Sequence, residues 1–284
     1  MTLRIAVPNK GRLDEPATEM LRQSGMRFER TPRTLSVPVS NLDIELLFVR
    51  TEDIPELVSD GIVGLGITGL DLIEEAGLPL ETVLPLGFGH CSLAAAVPLG
   101  SEIGAVEDFT GCRIATSHPQ TTNRFFAGKG VEITTVPLRG SVEVAPRLDV
   151  ADAVVDLVSS GSTLRVNGLR QVVTILESQA YLIRDPKLSD GLLPLANQVR
   201  TMVAAVATAR SNRYLMMNAP EAAVETISRL IPGLAAPTVV PLAGAGMVAV
   251  HSVVAADDLW RVLPALEQAG AGGILVLPIE ALIP

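Results

Sequence analysis

The sequence predicts an α/β protein that carries a smaller, separately wound C-terminal domain. Three observations support this. Short runs rich in Val, Ile and Leu, bounded by Gly, Pro or Asn, recur along the chain and alternate with helical patterns. Several runs are apolar throughout, as suits strands covered on both faces. The tail spaces its elements as β-α-β-β-α-β, the split pattern of a ferredoxin-like fold. Strand–helix alternation predicts parallel sheets under layers of helix.

Strands are expected over residues 3–7, 44–49, 63–67, 91–97, 113–115, 133–136, 153–158 and 172–176. A helix over 15–24 puts Ala17, Met20 and Leu21 on one face. Thr51, Glu52 and Asp53 offer an N-cap and an acidic first turn to a helix over 54–59. Residues 141–148 read as a helix shortened by Pro146. Residues 192–217 read as a return strand plus helix, with a strand at 214–217. A helix over 219–230 has Pro220 at its start and Pro232-Gly233 after it. A strand over 238–241, a Gly-rich turn at 244–246, a strand over 247–254, a helix over 257–268 and a strand over 273–277 complete the tail. A domain boundary near residue 210 follows.

The chain has 284 residues, enough for about two domains. Hydrophobic residues make up 48%, which excludes a disordered chain. Lys and Arg total 22 against 31 Asp and Glu, a net charge of −9, so the basic stripe that nucleic acid requires is not expected. Aromatics at 3% leave no stacking surface for single strands. No run approaches the roughly 18 apolar residues of a membrane span, and the N-terminus lacks a signal-peptide pattern. A cytoplasmic protein without a membrane partner is the expectation. Cys91 and Cys112 have no metal-ligand spacing and are expected as buried free thiols.

The segment Asp152-Ala153-Val154-Val155-Asp156-Leu157-Val158-Ser159-Ser160-Gly161-Ser162-Thr163-Leu164 is the most informative in the chain. A buried strand runs into small hydroxyl residues around one glycine, then into a helix start. Such a loop aims backbone N–H groups at one point, where a helix N-terminus adds positive potential. Ser159, Ser160, Ser162 and Thr163 add hydroxyl donors, the requirements of a phosphate monoester. Asp156 at the strand end is placed to accept hydrogen bonds from ribose hydroxyls. The same segment also reads as a polar crossover with an ordinary capping Ser or Thr. It has neither the Gly-Lys-Ser/Thr of a P-loop nor the dinucleotide fingerprint.

Glu143 followed by this segment resembles the signature of the ATP phosphoribosyltransferase family. Val7-Pro8-Asn9-Lys10-Gly11-Arg12-Leu13 and Asp60-Gly61-Ile62-Val63-Gly64-Leu65-Gly66-Ile67-Thr68-Gly69-Leu70-Asp71 resemble two further blocks of the family, in the right order, and the length is that of the long form. Asp149 stands where the signature usually has Gly, a change that a left-handed turn tolerates.

The resemblance implies two periplasmic-binding-protein-like lobes around a cleft, residues 1–90 plus about 178–210 and residues 91–177. It also implies a ferredoxin-like regulatory domain over 211–284 that binds histidine as feedback inhibitor. The implied reaction joins adenine N1 of ATP to C1 of phosphoribosyl pyrophosphate and releases pyrophosphate, with Mg2+. By the resemblance, Ser159, Ser160, Gly161, Ser162 and Thr163 hold the 5′-phosphate, Asp156 faces the ribose, and Glu143 lies near the ribose or the metal-bound pyrophosphate. Mg2+ would be held mainly by substrate oxygens.

Lys10 and Arg12 follow the first strand and Arg50 ends another, at the sheet edge where α/β proteins place ligands. Each alone reads as a solvated charge; with the motif match Lys10 and Arg50 are favoured as polyphosphate contacts, Arg12 less so. Gly11, Asp71 and His90 complete an implied ATP site. Asp71 reads equally as an acid in a helix first turn, and His90 and His118 equally as structural histidines. Asn218, Leu234, Thr238, Ala271 and Gly273 occupy positions resembling the histidine pocket, although Leu234 also reads as core. The family often has an acid where Asn218 stands, which implies weaker feedback here. The family further suggests homo-oligomers, dimers assembling into hexamers. Two other classes are open on residues alone: a non-catalytic nucleotide or small-anion binding protein, and an amino-acid sensor.

Overall fold

A computed structural model describes residues 1–31, 34–159, 161–234 and 236–283; Ser160, expected in the phosphate loop, lies outside the described residues. The chain begins β1 (Leu3–Pro8), α1 (Asp14–Gln23), β2 (Ser36–Pro38), β3 (Ile44–Val49), α2 (Ile54–Ser59), β4 (Leu65–Gly69), α3 (Leu70–Ala76) and β5 (Glu81–Pro85). It continues β6 (Cys91–Pro98), β7 (Arg113–Thr116), α4 (Pro119–Gly128), β8 (Thr134–Pro137), β9 (Ala153–Val158), α5 (Ser162–Val166), β10 (Leu169–Ser178) and β11 (Ala180–Arg184). Then come α6 (Leu193–Arg210), β12 (Asn212–Pro220), α7 (Val224–Leu230), β13 (Thr238–Pro241), β14 (Met247–Ala255), α8 (Leu259–Gln268) and β15 (Gly272–Pro278).

The chain forms two compact units, one of Met1–Arg22 with Met26–Arg200, the other of Gln23–Gly25 with the residues from Thr201 on. That boundary falls inside α6, ahead of residue 210. The first unit holds two sheets, ordered β2-β3-β1-β4-β11-β5 and β10-β6-β9-β7-β8. Both are mixed rather than parallel. β1 runs parallel to β3 and β4, and β7 to β8 and β9, whereas β2, β11, β6 and β10 pair antiparallel. The chain crosses to the second sheet just before β6 and back between β10 and β11, and on each crossing the entering strand, β6 or β11, lies antiparallel to its core neighbour, β9 or β4. β4 is buried at every position, as its Leu-Gly-Ile-Thr-Gly sequence suits. Gly66 there has no room for a side chain: a Cβ would stand 2.6 Å from the Ile54 side chain.

The return strand is Ala180–Arg184, and the residues from 193 to 210 are a single helix. The expected strand inside 192–211 is therefore absent; Pro194 sits in the helix's first turn, where its missing N–H costs nothing. Thr51–Asp53 form a 3-10 turn and provide no side-chain cap to α2. Residues 142–148 are likewise 3-10, with Pro146 inside, and Asp149 closes them at φ 54°, the left-handed conformation that Asp tolerates. Pro220 ends β12 instead of opening a helix, and a 3-10 turn at Glu221–Ala223 precedes α7. Cys91 is buried and Cys112 half-buried, both as free thiols.

The second unit's sheet has the order β13-β14-β12-β15, every pairing antiparallel, which is the ferredoxin-like arrangement expected of the tail. Leu215, Met217, Ala219, Val248 and Val250 pack one sheet face onto Ile227, Val262 and Leu266. Among the described residues no helix is long and apolar enough to cross a membrane.

Candidate active site

Two short segments, residues 86–90 and 178–180, join the sheets of the first unit, and they are bonded side by side. The Leu86 amide donates to Ala180 O (2.9 Å), that of Ala180 to Phe88 O (2.9 Å) and that of Gly87 to Gln179 Oε1 (3.0 Å). Gly89 has φ +68°, a conformation that favours glycine, and lies against the Leu13 side chain.

Asp71 sits beside this double crossover and is 1% exposed. Ser178 Oγ donates to its Oδ1 (2.5 Å) and accepts from its backbone N–H (3.0 Å). Arg12 Nη2 approaches the same oxygen at 3.4 Å, while Arg12 Nη1 donates to Gly89 O at 2.5 Å. From the second sheet's side comes His118, 4% exposed, with Nε2 at 3.4 Å from Asp71 Oδ2 and Nδ1 at 3.0 Å from Ser117 Oγ. The ring nitrogen faces the carboxylate without the alignment of a hydrogen bond. Burial raises the Asp71 carboxyl's pKa, but the close approach of the His118 ring, the Ser178 hydrogen bond and the Arg12 charge outweigh it, and the group lies below the usual aspartate range. Next along α3, Glu75 accepts from the Gln120 and Thr121 amides (2.9 and 2.8 Å) and from Thr121 Oγ1 (2.9 Å), so a carboxylate of one lobe caps a helix of the other.

Asp71→Asn is expected to destabilise the protein by about 3 kcal/mol at neutral pH, because it strips the counter-charge from the partly buried Arg12 and the charged acceptor from the buried Ser178 hydroxyl. The sign with pH follows from the lowered carboxyl. Its contribution is complete above the ordinary aspartate value and is lost as pH falls through the depressed folded value. Thermal melts of the two proteins should therefore converge only in strong acid; equal melting temperatures at pH 7 would contradict the account.

The hydroxyl-rich loop follows β9. Ser159 is exposed, Gly161 adopts φ +69° at the N-cap of α5, and Ser162 and Thr163 form the first turn, both exposed. Asp156, on β9, is half-buried, and its Oδ1 accepts from the Leu157 amide (2.8 Å). Burial pushes its carboxyl above the usual range; the Leu157 amide pulls it back, the Glu143 carboxylate adds to the rise, and His118 opposes it. Glu143, Asp156 and His118 thus share one electrostatic neighbourhood.

Lys10 and Arg50 are both exposed and follow neighbouring parallel strands, joined where the Asn9 amide donates to Val49 O (2.8 Å). Among the described residues neither has an acidic partner in an ion pair. Arg12, by contrast, is committed to Gly89 and Asp71, and Gly11 provides a φ +79° turn before it. His90 is exposed on the crossover.

In the second unit Asn218 and Gly273 adjoin: a Cβ on Gly273 would lie 3.8 Å from Asn218 Nδ2. Ala271, just before β15, is buried. Thr238 pairs with His251 of β14, which separates it from β12, and Leu234 is 60% exposed, so it is not core.

Sequence reasoning did not find Arg30, Glu75 or Ser178. No local pattern marks them, because each acts on a residue distant in the chain.

Taken with the fold, this geometry defines a two-lobed α/β protein whose first unit holds two mixed sheets joined by a double crossover. The comparisons with known proteins narrow the class. Residues 50–207 match the pattern of the ATP phosphoribosyltransferase family, and residues 209–281 match HisG, C-terminal domain. The ATP phosphoribosyltransferase of Natronomonas pharaonis is 43% identical over 283 residues, 99% of this chain and 100% of that one. The enzyme of that name from Methanopyrus kandleri is 42% identical over 284 residues, with 99% and 100% covered. Among solved structures, the ATP phosphoribosyl transferase (HisG:HisZ) complex from Thermotoga maritima aligns with TM-score 0.65 at 28% identity, over 74% of this chain and 100% of that one. The substrate binding protein of an amino acid ABC transporter aligns with TM-score 0.51 at 11% identity, over 74% and 95%, which shows the lobed fold alone. The chain belongs to the ATP phosphoribosyltransferase family, in its long form with the C-terminal domain. It is a pentosyltransferase of the first step of histidine biosynthesis.

Proposed function

We propose that this chain performs the family's transfer with the residues of β9, its following loop and the β1–β3 edge. Adenine N1 of ATP attacks C1 of phosphoribosyl pyrophosphate; the C1–N1 bond forms as the C1–O bond breaks, and pyrophosphate departs with the electron pair. Ser159, Ser160, Gly161, Ser162 and Thr163 cradle the donor's 5′-phosphate. Asp156 accepts from the ribose hydroxyls and fixes the ring while C1 acquires oxocarbenium character. Lys10 and Arg50 bind polyphosphate oxygens, with Gly11, Arg12, Asp71 and His90 shaping the ATP side. What supports the reading is the placement of Asp156, half-buried near the end of β9 just before the hydroxyl loop, with Glu143 in its electrostatic neighbourhood: two such carboxylates have a use where a ribose and a cation meet them.

Among the described residues no three His, Cys, Asp or Glu side chains form a metal cage. Glu143 and Asp156 fit a Mg2+ ion whose other ligands are substrate oxygens and water. When bound, such an ion neutralises charge on the departing pyrophosphate. The test is to mix the purified protein with ATP, phosphoribosyl pyrophosphate and Mg2+. Metal-dependent pyrophosphate release with an N1-substituted adenine is expected; binding of both ligands without release would overturn the reading.

The same reading extends to a cytoplasmic homo-oligomer, dimer to hexamer, inhibited by histidine at Asn218, Leu234, Thr238, Ala271 and Gly273. Asn218 accepts a hydrogen bond from imidazole but lacks a carboxylate's charge. Asn218→Asp is therefore expected to tighten histidine binding roughly tenfold by isothermal titration, since hydrogen bonds to charged groups are the stronger; equal affinities would remove the role given to Asn218.

A further inference from the structure

We propose that Arg30 is a positioning residue that clasps the loop carrying Lys10, and so sets the affinity for the ATP polyphosphate; the inference rests on the reading of Lys10 given above. One guanidinium holds both ends of that loop. Arg30 Nη2 donates to Asn9 O (3.2 Å) at its start and to Asp14 Oδ2 (3.3 Å) at its end. Nη1 pairs with Asp14 Oδ1 and lies 3.3 Å from Thr18 Oγ1. The guanidinium also stacks on Phe48, its Cζ 4.0 Å from the centre of a ring that is itself fully buried in β3. The Arg30 and Asp14 side chains are only 15% and 23% exposed, so this is no solvated surface pair.

Lys10 and Gly11 lie between the two gripped residues. Gly11 at φ +79° gives the loop its turn, and a glycine turn is conformationally free unless its ends are held. Arg30 holds them, and through the Asn9 amide on Val49 O it ties Lys10 to the strand that ends beside Arg50. The two exposed cations thereby keep a fixed spacing at one sheet edge, the arrangement that recognition of adjacent phosphates requires. Arginine is needed because its planar fork donates to a carbonyl and a carboxylate at once; a lysine in its place supplies only a point charge.

The test compares steady-state kinetics of wild type, Lys10→Ala, Arg30→Met, Arg30→Lys and the Lys10→Ala/Arg30→Met double variant, each checked by its melting temperature. Arg30→Met keeps an apolar stem over Phe48. It is expected to raise the KM for ATP roughly tenfold, an effect of misplacement rather than of lost chemistry, with a smaller change in kcat. Arg30→Lys is expected to restore the melting temperature through Asp14 while the raised KM persists. The double variant is expected to be no worse than Lys10→Ala alone, because Arg30 acts through Lys10. A raised KM in Lys10→Ala beside an unaltered one in Arg30→Met, or losses that add in the double variant, would overturn this inference and leave the role of Lys10 standing. An unaltered KM in Lys10→Ala would overturn the role of Lys10 and this inference with it.

Discussion

Asp156→Asn is expected to lower kcat/KM for phosphoribosyl pyrophosphate by about two orders of magnitude, the usual scale for removing one preorganised group that meets developing charge. The melting temperature is expected to hold or rise. The two effects have one cause. Burial and the neighbouring Glu143 carboxylate make the ionised form of Asp156 unfavourable in the folded protein. Asparagine keeps the shape, removes that cost and removes the acceptor charge that the ribose hydroxyls use. A site that trades stability for function is the signature expected of catalytic machinery. The pH dependence has a definite sign. With its folded pKa raised, ionised Asp156 costs stability above that pKa; as pH falls through it the folded state takes up the proton first and the cost disappears. Donor kcat/KM follows the opposite course and falls with the same protonation, above the ordinary aspartate range. Glu143→Gln should move that acid limb to lower pH. A limb that stays in place, or an Asp156→Asn protein that loses stability along with activity, would give Asp156 a structural role instead.

Gly161→Val is the second large effect, and it acts through backbone. Gly161 holds φ +69° and ψ 4° at the entry to α5. A β-branched residue is a genuine outlier there, and its Cβ would stand 3.3 Å from Arg165 Nη1. Strain of this kind costs on the order of 1–3 kcal/mol. The short α5 has no side-chain cap to resist it, so the loop is expected to reorganise. Donor affinity by isothermal titration should fall more than tenfold while ATP affinity is retained. Gly161→Asn should do much less, since asparagine visits the left-handed region. Equal damage from both would point to lost space instead of backbone conformation.

How much of this was legible in the sequence depended on where the determining contacts lie. β9 was readable to the residue, because Ala153–Val158 is an apolar run, broken only by Asp156, bounded by Asp152 and Ser159. The ferredoxin-like tail was readable for the same reason, its turns being marked by Gly and Pro. β11 was not: Ala-Tyr-Leu-Ile-Arg is short, carries an arginine and gains its place only by pairing with β4 and β5. α6 was misread because Leu193–Arg210 is apolar on several faces and shows little helical periodicity. The expected N-cap before α2 failed because Thr51–Asp53 tighten into a 3-10 turn of their own.

The candidate site divides along the same line. The loop after Val158 and the acid before it are contiguous and were visible as a motif. The commitment of Arg12 to Gly89, 77 residues away, was not, nor was that of Asp71 to Ser178, 107 residues away. Asp71 read equally as a helix-turn acid or a ligand contact; that it faces His118, 47 residues on, at the double crossover had no mark in the local sequence. Exposure, too, is invisible locally. Leu234 read both as a pocket residue and as core, and it stands 60% exposed.

The loop that begins at Ser159 is the centre of the account, and donor affinity measures it directly. Titrating phosphoribosyl pyrophosphate with Mg2+ into wild type and into a Ser160→Ala/Thr163→Ala protein should show Kd raised at least tenfold, on the scale of two lost hydrogen bonds to a charged group, with ATP affinity unchanged. An unaltered Kd and undiminished turnover in the double variant would contradict it.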